Sequence, residues 1–178
     1  LVDATFIKNL RDLALEGKAC FVYAGTYDML SELKAQGHTL VLLSNCSVQY
    51  LEENARAFHL KDYFDEMYCA GQFDWQSKPQ IVKSLIPGWK KSTEWAIGHS
   101  AHSAQQNAQQ STAHCEFCII SVGDRIYDME IAKACEGIGT IFCAYGYGES
   151  DEGRDADEIV YSPAEIPASV RRLYSLPC

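Results

Sequence analysis

Short apolar runs that alternate with amphipathic segments constrain the fold of this chain more than any other feature. The clearest are HTLVLLSN at residues 38–45 and FCIISVGD at 117–124, each of a length typical of a strand buried on both faces. Shorter runs occur at 66–70, 139–146 and 157–162. The alternation predicts an α/β fold, a Rossmann-like open parallel sheet with helices on both faces.

The segments between these runs carry apolar residues at helical spacing. Gly37 marks a helix end, and Ser47 is a candidate cap for the helix that follows the first run. The predicted helices cover residues 5–15, 26–36, 47–58 and 78–85, a segment through 129–132, and a last one that begins at Pro163.

Composition narrows the class of protein. A chain of 178 residues, 47% of them hydrophobic, is long enough for one domain with a core, so we expect a single domain over residues 1–178. Its net charge of −9 argues against a nucleic-acid or anionic-membrane partner, and no apolar run approaches the roughly 18 residues of a membrane span. No signal-peptide pattern is visible, and the eight cysteines, several in apolar contexts, indicate reduced thiols and a cytoplasmic protein. The oligomeric state is left open.

Two stretches depart from the alternation. Residues 87–114 are rich in Gln, Ser, Ala and His without an apolar period, which predicts an exposed insertion. Residues 149–158 carry six acidic residues against one arginine, and we expect a solvated surface loop there.

Polar residues follow the predicted strands at the sheet edge where ligands bind in open parallel sheets. Ser44 and Asn45 end the first run, Asp124 ends the run at 117–124, and Lys78 opens a helix. Asp128 lies one helical turn after Asp124, so both carboxylates can face one point. A hydroxyl, a lysine and two carboxylates suit a phosphoryl group and a divalent cation. Taken singly, each residue could equally be a cap, a solvated lysine or an acid of a first helical turn.

Three motifs in this order resemble the haloacid dehalogenase superfamily of phosphatases. LVLLSNCS is similar to the second motif, SKP at 77–79 to the third, and VGDRIYDME to the fourth. The resemblance implies an Mg²⁺-dependent phosphatase of the phosphoglycolate phosphatase-like type, acting on a small phosphorylated substrate.

The resemblance also implies roles for the candidate residues. Ser44 and Lys78 would be catalytic and, with Asn45, would bind the phosphoryl group, while Asp124 and Asp128 would bind Mg²⁺.

The family's nucleophile, the first Asp of a DxD motif, is missing upstream of Ser44. Asp3 has Thr5 where the second Asp should be, and LVD resembles the text that follows DxDGT in the family. We therefore expect a chain truncated just after its nucleophile motif, without the first strand and by itself inactive. A non-catalytic phosphate-binding or regulatory homologue, or Asp3 as an unusual nucleophile, remain as alternatives. The gaps at 3–24 and 44–78 leave little or no room for a cap domain.

A zinc-binding module is a further alternative. His99 and His102 are separated by two residues, as are Cys115 and Cys118, a spacing similar to that of zinc ligands. Cys118 lies inside a predicted strand, which favours packing over ligation.

Overall fold

The computed structural model describes residues 22–100 and 119–174, with side chains for 22–90 and 119–174. Its described residues fall into two compact units. The first comprises residues 22–77 and 162–167, and the second comprises 78–100, 119–161 and 168–174. The predicted helix at 5–15 lies outside the described residues, and the single domain over 1–178 stays a prediction.

The first unit contains two parallel strands, each preceded or followed by helix. Its elements are α1 (Thr26–Ala35), β1 (Val41–Ser44), α2 (Val48–Ala57), a 3₁₀ turn (Leu60–Asp62), β2 (Glu66–Cys69) and two further 3₁₀ turns (Ala70–Gln72 and Pro163–Glu165). β1 and β2 pair in register, with Ser44 opposite Cys69. The two strands therefore end at the same edge of the sheet.

Local sequence accounts for the helices of this unit. Helix α1 is followed by Gly37, whose φ of 85° lies in the left-handed region that glycine tolerates, so the predicted stop is confirmed. Helix α2 begins after Ser47, whose hydroxyl accepts a hydrogen bond from the backbone N–H of Tyr50 at 3.3 Å. Leu51 and Ala55, one turn apart, form the buried face of α2.

The second unit is built on three parallel strands in the order β3, β4, β5. Its elements are α3 (Lys78–Ser100), β3 (Ile119–Gly123), α4 (Ile126–Ala134), β4 (Ile138–Cys143), β5 (Glu158–Val160) and α5 (Ile166–Tyr174), the first two residues of α5 belonging to the first unit. The central strand β4 carries the core, with Ile141 and Phe142 buried. Helix α4 packs against α3, β3 and β4. Parallel strands joined through helices confirm the predicted fold class.

Helix α3 is longer than predicted. The sequence indicates a helix end before Pro87, yet the helix passes through this residue and reaches Ser100. A proline inside a helix removes one hydrogen bond, from the missing N–H, so it weakens the helix without ending it at every position. Residues 101–114 of the predicted insertion lie outside the described residues.

The acidic stretch at 149–158 is only partly a solvated loop. Asp157 accepts hydrogen bonds from the N–H and the hydroxyl of Thr140, at 2.8 and 2.9 Å. Glu158 forms an ion pair with Arg172 at 2.6 Å. The expectation was wrong for Glu158, which is partly buried at the start of β5 and is paired with α5, whereas Asp157 is exposed. Local composition does not reveal the partners that β4 and α5 bring to these two acids.

The connection from β1 to α3 contains no cap. Residues 45–77 are occupied by α2, β2 and short turns, as the sequence predicted for this gap. The other candidate position, at 3–24, falls almost wholly outside the described residues. No helix in the described part of the chain is long and apolar enough to cross a membrane.

Candidate active site

Ser44 ends β1 and Asn45 follows it in the turn before α2, as predicted. Ser44 is the last residue of β1 and is partly buried, whereas Asn45 is exposed. The 3₁₀ turn after β2 packs closely on the same turn: a side-chain carbon on Gly71 would lie 3.2 Å from the carbonyl oxygen of Cys46. Both polar residues therefore stand at the carboxyl edge of the first unit's sheet, where parallel sheets bind ligands.

The second unit brings Lys78 and Asp128 together. Lys78 is the first residue of α3, and Asp128 lies in the first turn of α4. The Lys78 ammonium group donates a hydrogen bond to Oδ1 of Asp128 at 2.5 Å, and the two side chains are only 13% and 9% exposed. A charged pair with so little access to water is much less screened than a surface pair.

The local backbone orients Asp128 as well. Its Oδ2 accepts a hydrogen bond from the backbone N–H of Arg125 at 3.3 Å, an arrangement typical of a capping box at a helix N-terminus. The last residue of β3 is Gly123, and any side-chain carbon there would collide with the Asp128 carboxylate. Glycine at this position is therefore required by the close approach of the carboxylate to the strand.

Asp124 follows β3 directly and is supported from the loop after β4. Its Oδ2 accepts a hydrogen bond from the backbone N–H of Tyr147 at 2.6 Å. Gly146 and Gly148 flank that N–H, and a side-chain carbon on either would collide with the side chain or the carbonyl oxygen of Asp124. The sequence analysis did not single out these glycines, although two glycines one residue apart after a buried strand are a recognisable sign of close backbone approach.

Glu152 is the other residue that the sequence analysis missed. Its Oε2 accepts hydrogen bonds from the backbone N–H of Ile126, at 2.5 Å, and from Nε of Arg125, at 3.1 Å. Its Oε1 accepts from the backbone N–H of Glu149 at 3.2 Å. The bond from Ile126, together with the one from Arg125, lowers the pKa of this carboxyl group against the effect of desolvation. No sequence signal distinguishes Glu152 from the five other acids around it.

The two aspartates converge on one region beside β4. Burial raises the pKa of the Cys143 thiol to about 11, and the charges of both aspartates add to this shift. All four cysteines in the described part of the chain are free thiols.

The donor chemistry of Asp124 and Asp128 fits Mg²⁺. This ion prefers oxygen ligands and is commonly bound by one or two carboxylates, with water and substrate oxygens completing its shell. The described side chains contain no group of three or more His, Cys, Asp or Glu that could surround a metal ion. Asp124 and Asp128 would therefore supply two carboxylate ligands to the ion. The predicted zinc ligands, His99, His102, Cys115 and Cys118, lie outside the described side chains.

Parallel strands that end at Ser44 in one sheet and just before Asp124 in the other place the chain in the Rossmann-like α/β class. The sequence profile of the haloacid dehalogenase-like hydrolases matches residues 3–95, and the chain belongs to this family. The family that the sequence motifs suggested is therefore confirmed, and the matched residues include the segments of the second and third motifs.

Solved structures of the same fold include several enzymes. A predicted phosphatase from Clostridium acetobutylicum is 21% identical, with a TM-score of 0.62 over 85% of this chain and 60% of its own. A predicted phosphoglycolate phosphatase from Haemophilus somnus is 20% identical, with a TM-score of 0.60 over 84% and 57%. A 2-haloacid dehalogenase from Pseudomonas syringae is 18% identical, with a TM-score of 0.53 over 90% and 58%.

These likenesses establish the fold. The chain spans about 60% of the length of the first two structures. No curated protein sequence matches it.

Proposed function

We propose that the full-length protein is an Mg²⁺-dependent phosphatase that hydrolyses a small phosphomonoester. The observation that carries this proposal is the buried Lys78–Asp128 pair beside Asp124, immediately after a parallel strand. A dehalogenase does not need two carboxylates for a cation, so this arrangement favours phosphoryl chemistry over the dehalogenation named for one structural relative.

Each residue has a proposed role in binding the phosphoryl group. Ser44 and Asn45 donate hydrogen bonds from the hydroxyl and the amide, and the Lys78 ammonium group provides a positive charge. Asp124 and Asp128 would hold Mg²⁺, which supplies positive charge against the phosphoryl oxygens when it is bound. The hydrogen bond from Lys78 to Asp128 keeps the lysine oriented between turnovers.

The family reaction needs a nucleophile that this sequence does not contain upstream of Ser44. In that reaction an Asp carboxylate oxygen forms a bond to phosphorus while the bond to the leaving oxygen breaks and that oxygen is protonated. Water then attacks phosphorus, which releases phosphate and restores the carboxylate. The coding sequence of the full-length protein shows directly whether it contains this Asp in a DxD motif.

Hydrolysis of p-nitrophenyl phosphate by the full-length protein tests the activity. We expect turnover with Mg²⁺, none with a chelator, and none in Asp124→Asn at saturating Mg²⁺. Lys78→Ala should raise the barrier by about 3 kcal/mol, a loss of two orders of magnitude in rate. Asp155→Asn, which changes an exposed acid of the loop after β4, is the matched control and should keep full activity.

A non-catalytic phosphate-binding protein is the second candidate, favoured by Thr5 at the place of a catalytic Asp. An upstream coding sequence without DxD, together with phosphate binding but no hydrolysis, would support this candidate. A phosphomonoester turned over by Asp124→Asn as fast as by the unaltered protein would contradict the role of Asp124 in holding Mg²⁺, and the absence of turnover by the full-length protein with Mg²⁺ would contradict the phosphatase.

A further inference from the structure

We infer that Glu152 is a positioning residue that sets the geometry of both cation-binding aspartates, an inference that rests on the proposed function. Its carboxylate lies in the loop after β4 and links that loop to the N-terminus of α4. One side chain thereby ties together the two segments that support Asp124 and Asp128.

The Oε2 side of this carboxylate acts on Asp128. It accepts hydrogen bonds from the N–H of Ile126, the first residue of α4, and from the side chain of Arg125. The backbone N–H of the same Arg125 donates to Oδ2 of Asp128. Glu152 therefore holds the side chain of Arg125 and the peptide group that follows it, and so fixes the residue whose backbone N–H orients the Asp128 carboxylate.

The Oε1 side acts on Asp124. It accepts a hydrogen bond from the N–H of Glu149, two residues after Tyr147. The N–H of Tyr147 is the donor to Oδ2 of Asp124. Fixing residue 149 keeps this short loop against Asp124, where the two glycines on either side of Tyr147 permit the close approach.

Glu152 is not available as a third cation ligand itself. Among the described side chains no three carboxylates are grouped so that they could surround one cation, so Glu152 does not join Asp124 and Asp128 as a ligand. Its two oxygens accept instead from three separate donors of the protein. The guanidinium group of Arg125 also neutralises its charge. Its effect on cation binding must therefore pass through the two aspartates, as outer-shell partners of metal ligands commonly act.

Mg²⁺ binding to the full-length protein, measured by calorimetry without substrate, tests this role. Glu152→Gln preserves size but replaces one accepting oxygen with a donor, which faces Arg125 together with the N–H of either Ile126 or Glu149. We expect the dissociation constant for Mg²⁺ to rise about ten-fold or more, as is typical of outer-shell changes. Asp155→Asn removes the same charge from the same loop, where Asp155 pairs with Lys133 in the open, and should stay within about two-fold.

The salt dependence of Mg²⁺ binding distinguishes a positioning effect of Glu152 from the effect of its negative charge alone. A long-range charge effect fades at about 0.5 M salt, where the screening length is only a few Å, whereas a misplaced ligand stays misplaced. We expect the loss of Mg²⁺ affinity in Glu152→Gln to persist at high salt. Without metal, the circular-dichroism spectrum of this variant should be the same as that of the unaltered protein.

Three outcomes decide the inference. Mg²⁺ binding by Glu152→Gln within about two-fold of the unaltered protein would overturn it, and so would a loss that disappears at high salt. Failure of the unaltered protein to bind Mg²⁺ would overturn the cation site of the proposed function and this inference with it. If Glu152→Gln does not fold, Arg125→Ala replaces it: it removes the guanidinium partner and should weaken Mg²⁺ binding, although loss of a positive charge alone would strengthen it.

Discussion

Lys78 donates a hydrogen bond from its ammonium group to Oδ1 of Asp128, across fifty residues of chain and in a nearly dry environment. The lysine opens one helix and the aspartate lies in the first turn of another, so the pair joins α3 to α4. A residue proposed to bind the phosphoryl group thus contacts a residue proposed to bind the cation.

The buried pair should matter for stability. Lys78→Ala leaves the Asp128 carboxylate buried without its partner, and we expect a loss of about 3 kcal/mol in the free energy of unfolding. Urea denaturation of the full-length protein measures it. Lys133→Ala is the control, because Lys133 and Asp155 are 56% and 57% exposed and their pairing should hardly change the midpoint. Equal losses in the two variants would contradict the prediction.

The glycines beside Tyr147 should not tolerate a side chain. Gly146→Ala and Gly148→Ala each place a carbon where Asp124 already lies, so the loop or Asp124 must move. We expect destabilisation of about 1–3 kcal/mol, as for overpacked sites, and weaker Mg²⁺ binding.

Gly88→Ala is the matched control for these two variants. A side-chain carbon on Gly88 meets nothing within 4 Å, and the residue lies inside α3. Alanine there should stabilise the protein by about 0.5–1 kcal/mol through its higher helix propensity. A Gly146→Ala variant as stable as Gly88→Ala would contradict the close contact between residue 146 and the side chain of Asp124.

Cys143 should be unreactive in the folded protein. Burial, with a smaller contribution from Asp124 and Asp128, raises the pKa of its thiol to about 11, so almost no thiolate exists at pH 8. Peptide-level mass spectrometry after iodoacetamide treatment should find Cys143 unlabelled in the native protein and labelled in urea. Equal labelling in both states would refute the prediction.

The same shift gives a pH dependence of stability at alkaline pH. The unfolded thiol ionises near its ordinary pKa of about 8.5, while the folded thiol stays protonated until about pH 11. Stability should therefore fall as the pH rises above about 9. Cys143→Ser should flatten this part of the profile in urea denaturation.

Asp65 should contribute stability that is lost in acid. Its hydrogen bond from Lys34, at 2.7 Å, is the main cause that lowers the pKa of this carboxyl, and the N–H of Leu40 adds to it. The contribution is present above the ordinary pKa of about 4 and disappears as the pH falls through the lower folded value.

Urea denaturation of the unaltered protein and of Asp65→Asn tests this contribution. The difference in stability between them should be constant from pH 7 to about 5 and shrink below about pH 4. A difference that is the same at every pH would rule out the charged pair as its source.

The ends of the strands could be predicted from the sequence because they depend on the apolar pattern of a few consecutive residues. The apolar run before Ser44 and the one before Asp124 each indicate a buried strand, and in a parallel sheet a residue that follows a strand must lie at its carboxyl edge. The cap at Ser47 and the stop at Gly37 are equally local, since each depends on a few neighbouring residues.

Contacts between distant segments were decided only by the tertiary structure. Glu152 is one of six acids in a ten-residue stretch, and nothing near it in sequence shows that α4 offers it an N–H. The requirement for glycine at 146 and 148 arises because the loop after β4 crosses Asp124, more than twenty residues away. Side-chain periodicity along one segment determines which face is buried and where the segment ends. It carries no information about which hydrogen-bond partner another segment brings there, and that partner distinguishes Glu152 from its solvated neighbours.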